Sequence, residues 1–267
     1  MVALLVATPA LILPGVASDS SQITVLVALL AGFLTFAEYN SNCPSIVEFR
    51  DAPPFNRMRF ISLAATVLAL SAILRDQSAM SAMTGALAAL GTITGNAMDF
   101  PFSPVRLVVL MLPHGTDAAL VTIVRSCAGI AYLISVVTIM TFFVMARFKG
   151  WPAKNGAFNV WVNLPLFDPT AGGDVLDRLQ RDARVNIALG FLLPFMIPAV
   201  VKATASLIDP MTLQNSQTLI WTISAWAFLP ASMIMRGLAM GRLAELIEEK
   251  RRRAYASAEH DGDFQAA

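Results

Sequence analysis

A chain of 267 residues with 56% hydrophobic and only 14% charged side chains and a mean hydropathy of +0.64 departs from soluble domains, which carry about 25% charged and 45–50% apolar residues. The charges crowd into the connections between long apolar runs, which excludes a water-soluble globular domain and leaves an all-α polytopic membrane protein. A net charge of +1 decides nothing here, because in such a protein the placement of Lys and Arg carries the information; it points to no nucleic-acid partner.

Seven apolar runs follow one another: Val2–Ala17, Ile23–Ala37, Phe60–Leu74, Ala79–Ala97, Ala118–Ala146, Val185–Leu207 and Leu219–Ala239. A spanning helix needs about 20 residues for a hydrocarbon core of ~30 Å. The first run holds Pro9 and Pro14 and reaches only ~24 Å at 1.5 Å per residue, so the expectation is a bundle of six or seven transmembrane helices. That run ends in small residues like a signal peptide but lacks the positive leading region, and reads as a retained segment. Val105–Leu112, bracketed by Pro104 and Pro113, is too short to cross and reads as interfacial or re-entrant.

Between the second and third runs, Glu48, Phe49, Arg50, Asp51, Phe55 and Arg57 mix both charge signs with aromatics around a stiff Pro53–Pro54. This loop is expected to be ordered, as a docking surface or as a lid over one bundle end. The fourth run is poor in bulky side chains: Gly91 and Gly95 form a GxxxG, and Ser81, Gly85 and Ala89 continue a small face. Small residues let helix backbones approach closely, so this helix is expected to be central or to meet another subunit.

The connection Arg147–Arg184 begins with Trp151, Phe158, Trp161 and Phe167 among prolines, a composition suited to the headgroup level. After Gly172–Gly173, Asp174–Arg184 predicts one amphipathic cytoplasmic interfacial helix. Its apolar face is Val175, Leu176, Leu179 and Ala183, and its i,i+4 pairs are Asp174 with Arg178 and Asp177 with Arg181. It would lie flat on the inner leaflet or pack on its own bundle. Residues 1–243, with the loop 147–184, form the bundle. Residues 244–267 form a tail, expected to be helical over Ala244–Arg253, with Glu248–Arg252 and Glu249–Arg253 pairs, and unstructured beyond Ala254.

Counting crossings from a cytoplasmic C-terminus puts Arg75, the 147–184 loop and the tail inside, and Arg50, Arg57, Arg59 and Arg106 outside. The bias obeys the positive-inside rule, but three arginines in the loop Glu38–Arg59 resist it.

Charges within the runs are functional hypotheses by default. Arg125 is the foremost, with Asp117 or Asp99 as its neutralising partner. Lys202 follows Pro194 and Pro198, whose freed carbonyls need donors, and Asp209 is near. Arg236 is expected to snorkel to the inner interface. No acidic residue lies within a run, which counts against an ion-coupled pump. Cys43 and Cys127 form no disulfide framework, and His114 and His260 offer no bis-histidine haem or imidazole metal cluster. No metal site and no cofactor are expected; bound lipids are. The chain has no phosphate-cradling glycine loop, HExxH, CxxC or GxSxG, and no evident internal repeat.

The favoured expectation is therefore a non-catalytic integral membrane subunit or accessory and assembly factor, not an enzyme. Its partners would be the lipid bilayer and other membrane protein subunits, its place a bacterial inner membrane. The alternative is a small-solute or anion transporter or channel using Arg125 and Lys202. A third reading, an enzyme acting on lipid-linked substrates through Lys154, Asp168, Asp174, Asp177 and Arg178, is weaker because helix pairing explains their spacing.

Overall fold

The computed structural model describes residues 1–14, 18–42, 44–75, 82–113, 115–148, 150–152, 158–167, 172–204, 213 and 215–265. In chain order the helices are α1 (Val2–Ile12), α2 (Ser18–Asn40), α3 (Phe55–Arg75), α4 (Ala82–Met98), α5 (Pro104–Met111), α6 (Ala118–Phe148), the four-residue α7 (Val160–Asn163), α8 (Val175–Thr204) and α9 (Ser216–Gln265). No strand occurs among the described residues. Five helices are long and apolar enough to cross a membrane: α2 over Ser21–Asn40, α3, α6, α8, and α9 over Ser216–Ser257.

Among the described residues α1 and α4, the two other expected crossings, fall short of that length. α1 has only 11 residues because Pro14 forces Leu13 into an extended conformation with ψ 135°. α4 has 17 residues and stops ahead of Pro101. α4 and α5 together begin and end at one end of the bundle: α3 arrives there with Ile73 near Gly91, and Lys202, late in α8, donates to Leu112 O at 3.3 Å.

The sequence places the loop after α2 and the connector after α6 on opposite sides of the bundle. The loop after α2 meets the connector after α6 directly: Trp151 Nε1 donates to Ala52 O at 3.1 Å, and Asp51 N donates to Asn163 Oδ1 at 2.9 Å. The two segments expected on opposite sides therefore share one end, together with the basic part of α9. Arg50, Arg57 and Arg59 move to that basic end, and Arg75 moves to the opposite, distal end.

Two further expectations are corrected. The amphipathic stretch Asp174–Arg184 is not a separate interfacial helix but the opening turns of the 30-residue α8, since no breaker separates Arg184 from Val185. α9 does not end near Arg253: its alanine-rich continuation stays helical to Gln265.

α8 and α9 run antiparallel and very close. A Cβ on Gly190 would meet Pro230 O at 2.7 Å, and one on Gly237 would meet Ala183 O at 2.7 Å. Pro198 has no N–H for the carbonyl four residues earlier, so Pro194 O would be left orphaned inside α8. Trp226 Nε1, reaching across from α9, donates to it at 3.0 Å. In the same region Ser135 Oγ donates to Ala227 O at 3.0 Å, tying α6 to α9.

Two apolar clusters fill the bundle. Val67, Leu70, Val108, Val124, Ile220 and Trp226 belong to the distal one. Phe49, Phe55, Phe142, Trp151, Leu179 and Met240 belong to the basic one.

Candidate functional site

At the basic end the loop 44–54 folds inward as a lid. Phe49 is fully buried, although its φ of 52° lies in the left-handed region that side chains other than glycine rarely adopt. The fold over-determines it: Phe49 N donates to Asn163 O at 2.6 Å, and its ring packs against Phe55 at 4.7 Å and Trp151 at 5.6 Å between centroids. Phe142 of α6 closes the cluster at 5.3 Å from Trp151.

Glu48 enters the same region, 7% exposed, and takes a bidentate grip from Arg236, with Nη2 to Oε1 at 2.8 Å. Arg236 thus does not snorkel; a carboxylate comes to meet it. Arg59 lies beside them over the Phe55 and Phe228 rings at 5.5 and 5.9 Å. Of the other loop residues singled out from sequence, Asp51 and Arg57 are exposed. Arg50 is held by Asp51 and by the carbonyls of Glu38 and Ser41. The buried aromatics anchor this loop over the basic end of the bundle, while Asp51 and Arg57 stay at its surface.

Trp151 of the aromatic connector is likewise buried, 4% exposed. The Trp161 side chain lies outside the described residues. Leu179 is fully buried, and Val175 and Leu176 pack on the same basic-end cluster, so this face meets the bundle. Asp174 pairs with Arg251 through two contacts of 2.8 Å, not with Arg178, whose guanidinium stacks 4.8 Å from the Phe167 centroid. Arg181 lies 3.9 Å from Asp182, its neighbour, where Asp177 was expected. Arg251 and the N–H of Leu176 hold the Asp174 carboxyl down to about 2.

At the distal end Asp99 joins two arginines. Its Oδ2 is 2.7 Å from Arg125 Nε and 3.3 Å from Arg106 Nη1. Of the two partners expected for Arg125, Asp99 is the one the fold supplies; Asp117 is exposed. Lys202 sits on the C-terminal carbonyl of α5, a favourable place for a cation. Of the two proline-freed carbonyls, Pro194 O is taken by Trp226. Asp209, Lys154, Asp168, Cys43 and His114 lie outside the described residues. α5 is therefore fastened at both ends, by Asp99–Arg106 and by Leu112–Lys202.

Gly91 and Gly95 face the chain's own α6. A Cβ on Gly95 would lie 2.8 Å from Arg125 O, and one on Gly129 would lie 2.5 Å from Gly95 Cα. Gly129 was missed in the sequence because it stands alone in an apolar run. Ala89 is exposed, Gly85 partly buried, and Ser81 lies outside the described residues.

α2 differs from every other long helix: only 6% of its span is buried, against 17–56% for the rest, and among the described residues it packs on no helix but α1. Leu26, Leu30, Phe33 and Phe36 are exposed along it. Its basic-end terminus is nevertheless fixed, since the Glu38 carboxylate accepts from Ser45 N, Ser45 Oγ, Ile46 N and Val47 N.

Among the described residues no cluster of His, Cys, Asp and Glu is placed to hold a metal ion. The chain is an α-helical polytopic membrane protein. Comparison with protein-family models, with curated proteins and with solved structures finds no match.

Proposed function

We propose that this chain is a non-catalytic integral membrane subunit or accessory factor that joins a larger membrane complex through α2. The observation that carries this is the isolation of α2, which among the described helices packs only on the 11-residue α1 while its terminus is clamped to the following loop by Glu38. Exposed apolar side chains alone mean little in lipid. Spanning helices, however, are held by close packing with one another, and α2 finds almost none of it within its own chain. The open flank bearing Phe33 and Phe36 suits the spanning helix of a second, different protein.

The same proposal places the basic end in the cytoplasm of a bacterial inner membrane. Arg50, Arg57, Arg59, Arg147, Arg178, Arg181, Arg184, Arg242 and Lys250–Arg253 gather there, whereas the distal end has Arg75, Arg106, Arg125 and Lys202, as the positive-inside rule requires. The transporter reading is weaker, since Arg125 and Lys202 already hold partners within the fold.

A photo-crosslinking residue placed at Phe33 or Phe36, with Phe191 and Leu192 of α8 as controls, tests the proposal in native membranes. The expected result is one discrete adduct with a different protein from α2 positions only. Phe33→Ala with Phe36→Ala should then remove that protein from gentle extracts without lowering Tm. Lipid adducts alone, or an adduct of twice this chain's mass, would overturn it.

A further inference from the structure

We infer that a crevice of about 440 Å³ between α6, α8 and α9 is a binding site for one anionic phospholipid, with the headgroup phosphate on Arg147, Arg184 and Arg242 and an acyl chain along Phe143 and Ile187. These three arginines, one from each helix, line the crevice at the basic end, and Phe143, Ile187 and Leu238 form its apolar wall. Phe143 and Ile187 remain 45% and 38% exposed, so the crevice opens on the flank of the bundle where its apolar exterior gives way to arginines. A ligand seated there must be apolar at one end and anionic at the other.

The charges are already arranged for an oxygen anion. Arg147 Nη1 and Arg242 Nη1 converge on a single oxygen, Glu245 Oε2, at 3.4 and 2.7 Å. One carboxylate against three guanidiniums leaves the site in cationic excess. Arg184 donates only Nε, to Gln180 O at 3.3 Å, leaving its outer nitrogens for the ligand. The floor is bare because Gly237 and Gly241 contribute no side chain. At Gly237 the space is used by α8 itself, but a Cβ on Gly241 meets only Ala183 Cβ, at 3.8 Å. The vacancy at Gly241 is thus not demanded by helix packing. Anionic lipids with a single phosphate fit this combination, and zwitterionic ones bring a cation against the arginines.

The test uses the full chain purified in lauryl maltoside, with native mass spectrometry for stoichiometry and Tm for affinity. Dioleoyl-phosphatidylglycerol is expected to bind one per chain and raise Tm, whereas dioleoyl-phosphatidylcholine and inorganic phosphate at equal concentration do neither. Gly241→Leu keeps every arginine and fills the crevice, and is expected to abolish lipid binding while Tm without lipid is unchanged. Arg147→Gln with Arg184→Gln, both at exposed positions, is expected to weaken binding about tenfold or more, and decides the matter if Gly241→Leu does not fold. Equal binding of phosphatidylcholine, an equal effect of inorganic phosphate, or undiminished phosphatidylglycerol binding by folded Gly241→Leu each overturns the assignment.

Discussion

The contact between Trp226 and Pro194 offers a sharp test of how this bundle satisfies its backbone. Pro198 removes the donor that Pro194 O needs, and the indole N–H at 3.0 Å replaces it. Trp226→Phe keeps an aromatic ring in the buried site but leaves the carbonyl orphaned. An unsatisfied buried acceptor costs about 1–3 kcal/mol, and interhelical hydrogen bonds in membranes average about 0.6 and reach about 1.7 kcal/mol, so a loss of about 1–2 kcal/mol is expected. Pro198→Ala restores a backbone N–H at the right position in α8. In that background the carbonyl has its own helical partner, and Trp226→Phe should lose only ring contact, such as that with Tyr132 at 6.0 Å, which is common to both backgrounds. The coupling in this double-mutant cycle is expected to be about 1 kcal/mol. Equilibrium SDS titration followed by far-UV circular dichroism measures it. An equal cost of Trp226→Phe in the parent chain and in the Pro198→Ala background would refute the reasoning.

Four other outcomes follow from the same geometry. Gly129→Val should disrupt the bundle, because its Cβ would stand 2.5 Å from Gly95 Cα; loss of the monodisperse peak on size exclusion reads this. Asp99→Leu should destabilise by about 2 kcal/mol, below the 3–5 of a fully buried pair because Arg125 keeps a quarter of its exposure; adding Arg125→Leu should recover most of it in the same SDS titration. The Asp174 carboxyl drops from 3.8 to about 2 in the fold, so its tether to Arg251 is fully present above 3.8 and is lost as the pH falls through 2. A spin-label distance between the start of α8 and the end of α9 should therefore hold at pH 5 and widen only near pH 2. Single cysteines at Asp51 and Asp174 should be modified by an impermeant reagent from one side, and one at Thr116 from the other; labelling of Asp51 and Thr116 from the same side would break the topology.

How much of the site was legible depended on whether its cause was local. Arg125 marked itself as a charge within an apolar run, and Asp99 was one of two partners the spacing allowed. The Gly91–Gly95 pattern identified a close helix contact, but its counterpart Gly129 carried no motif. Glu48 and Arg236 stand 188 positions apart, and no periodicity links such residues. The amphipathic opening of α8 was readable as a face, yet that face fits the bundle and a leaflet equally well until a neighbour is present. The crevice between Arg147, Arg184 and Arg242 was invisible, since each arginine taken alone is an ordinary flanking residue.

Sequence by itself determined that this chain lives in lipid as helices: about 20 apolar residues between polar breaks can satisfy their backbone in no other simple way. Which end each loop occupies was decided only in three dimensions. A 17-residue small-residue helix is long enough to resemble a crossing, and hydropathy does not record direction. It took Asp51 bonded to Asn163 and Trp151 bonded to Ala52 to put both loops together, because a hydrogen bond between them cannot reach across a bilayer core.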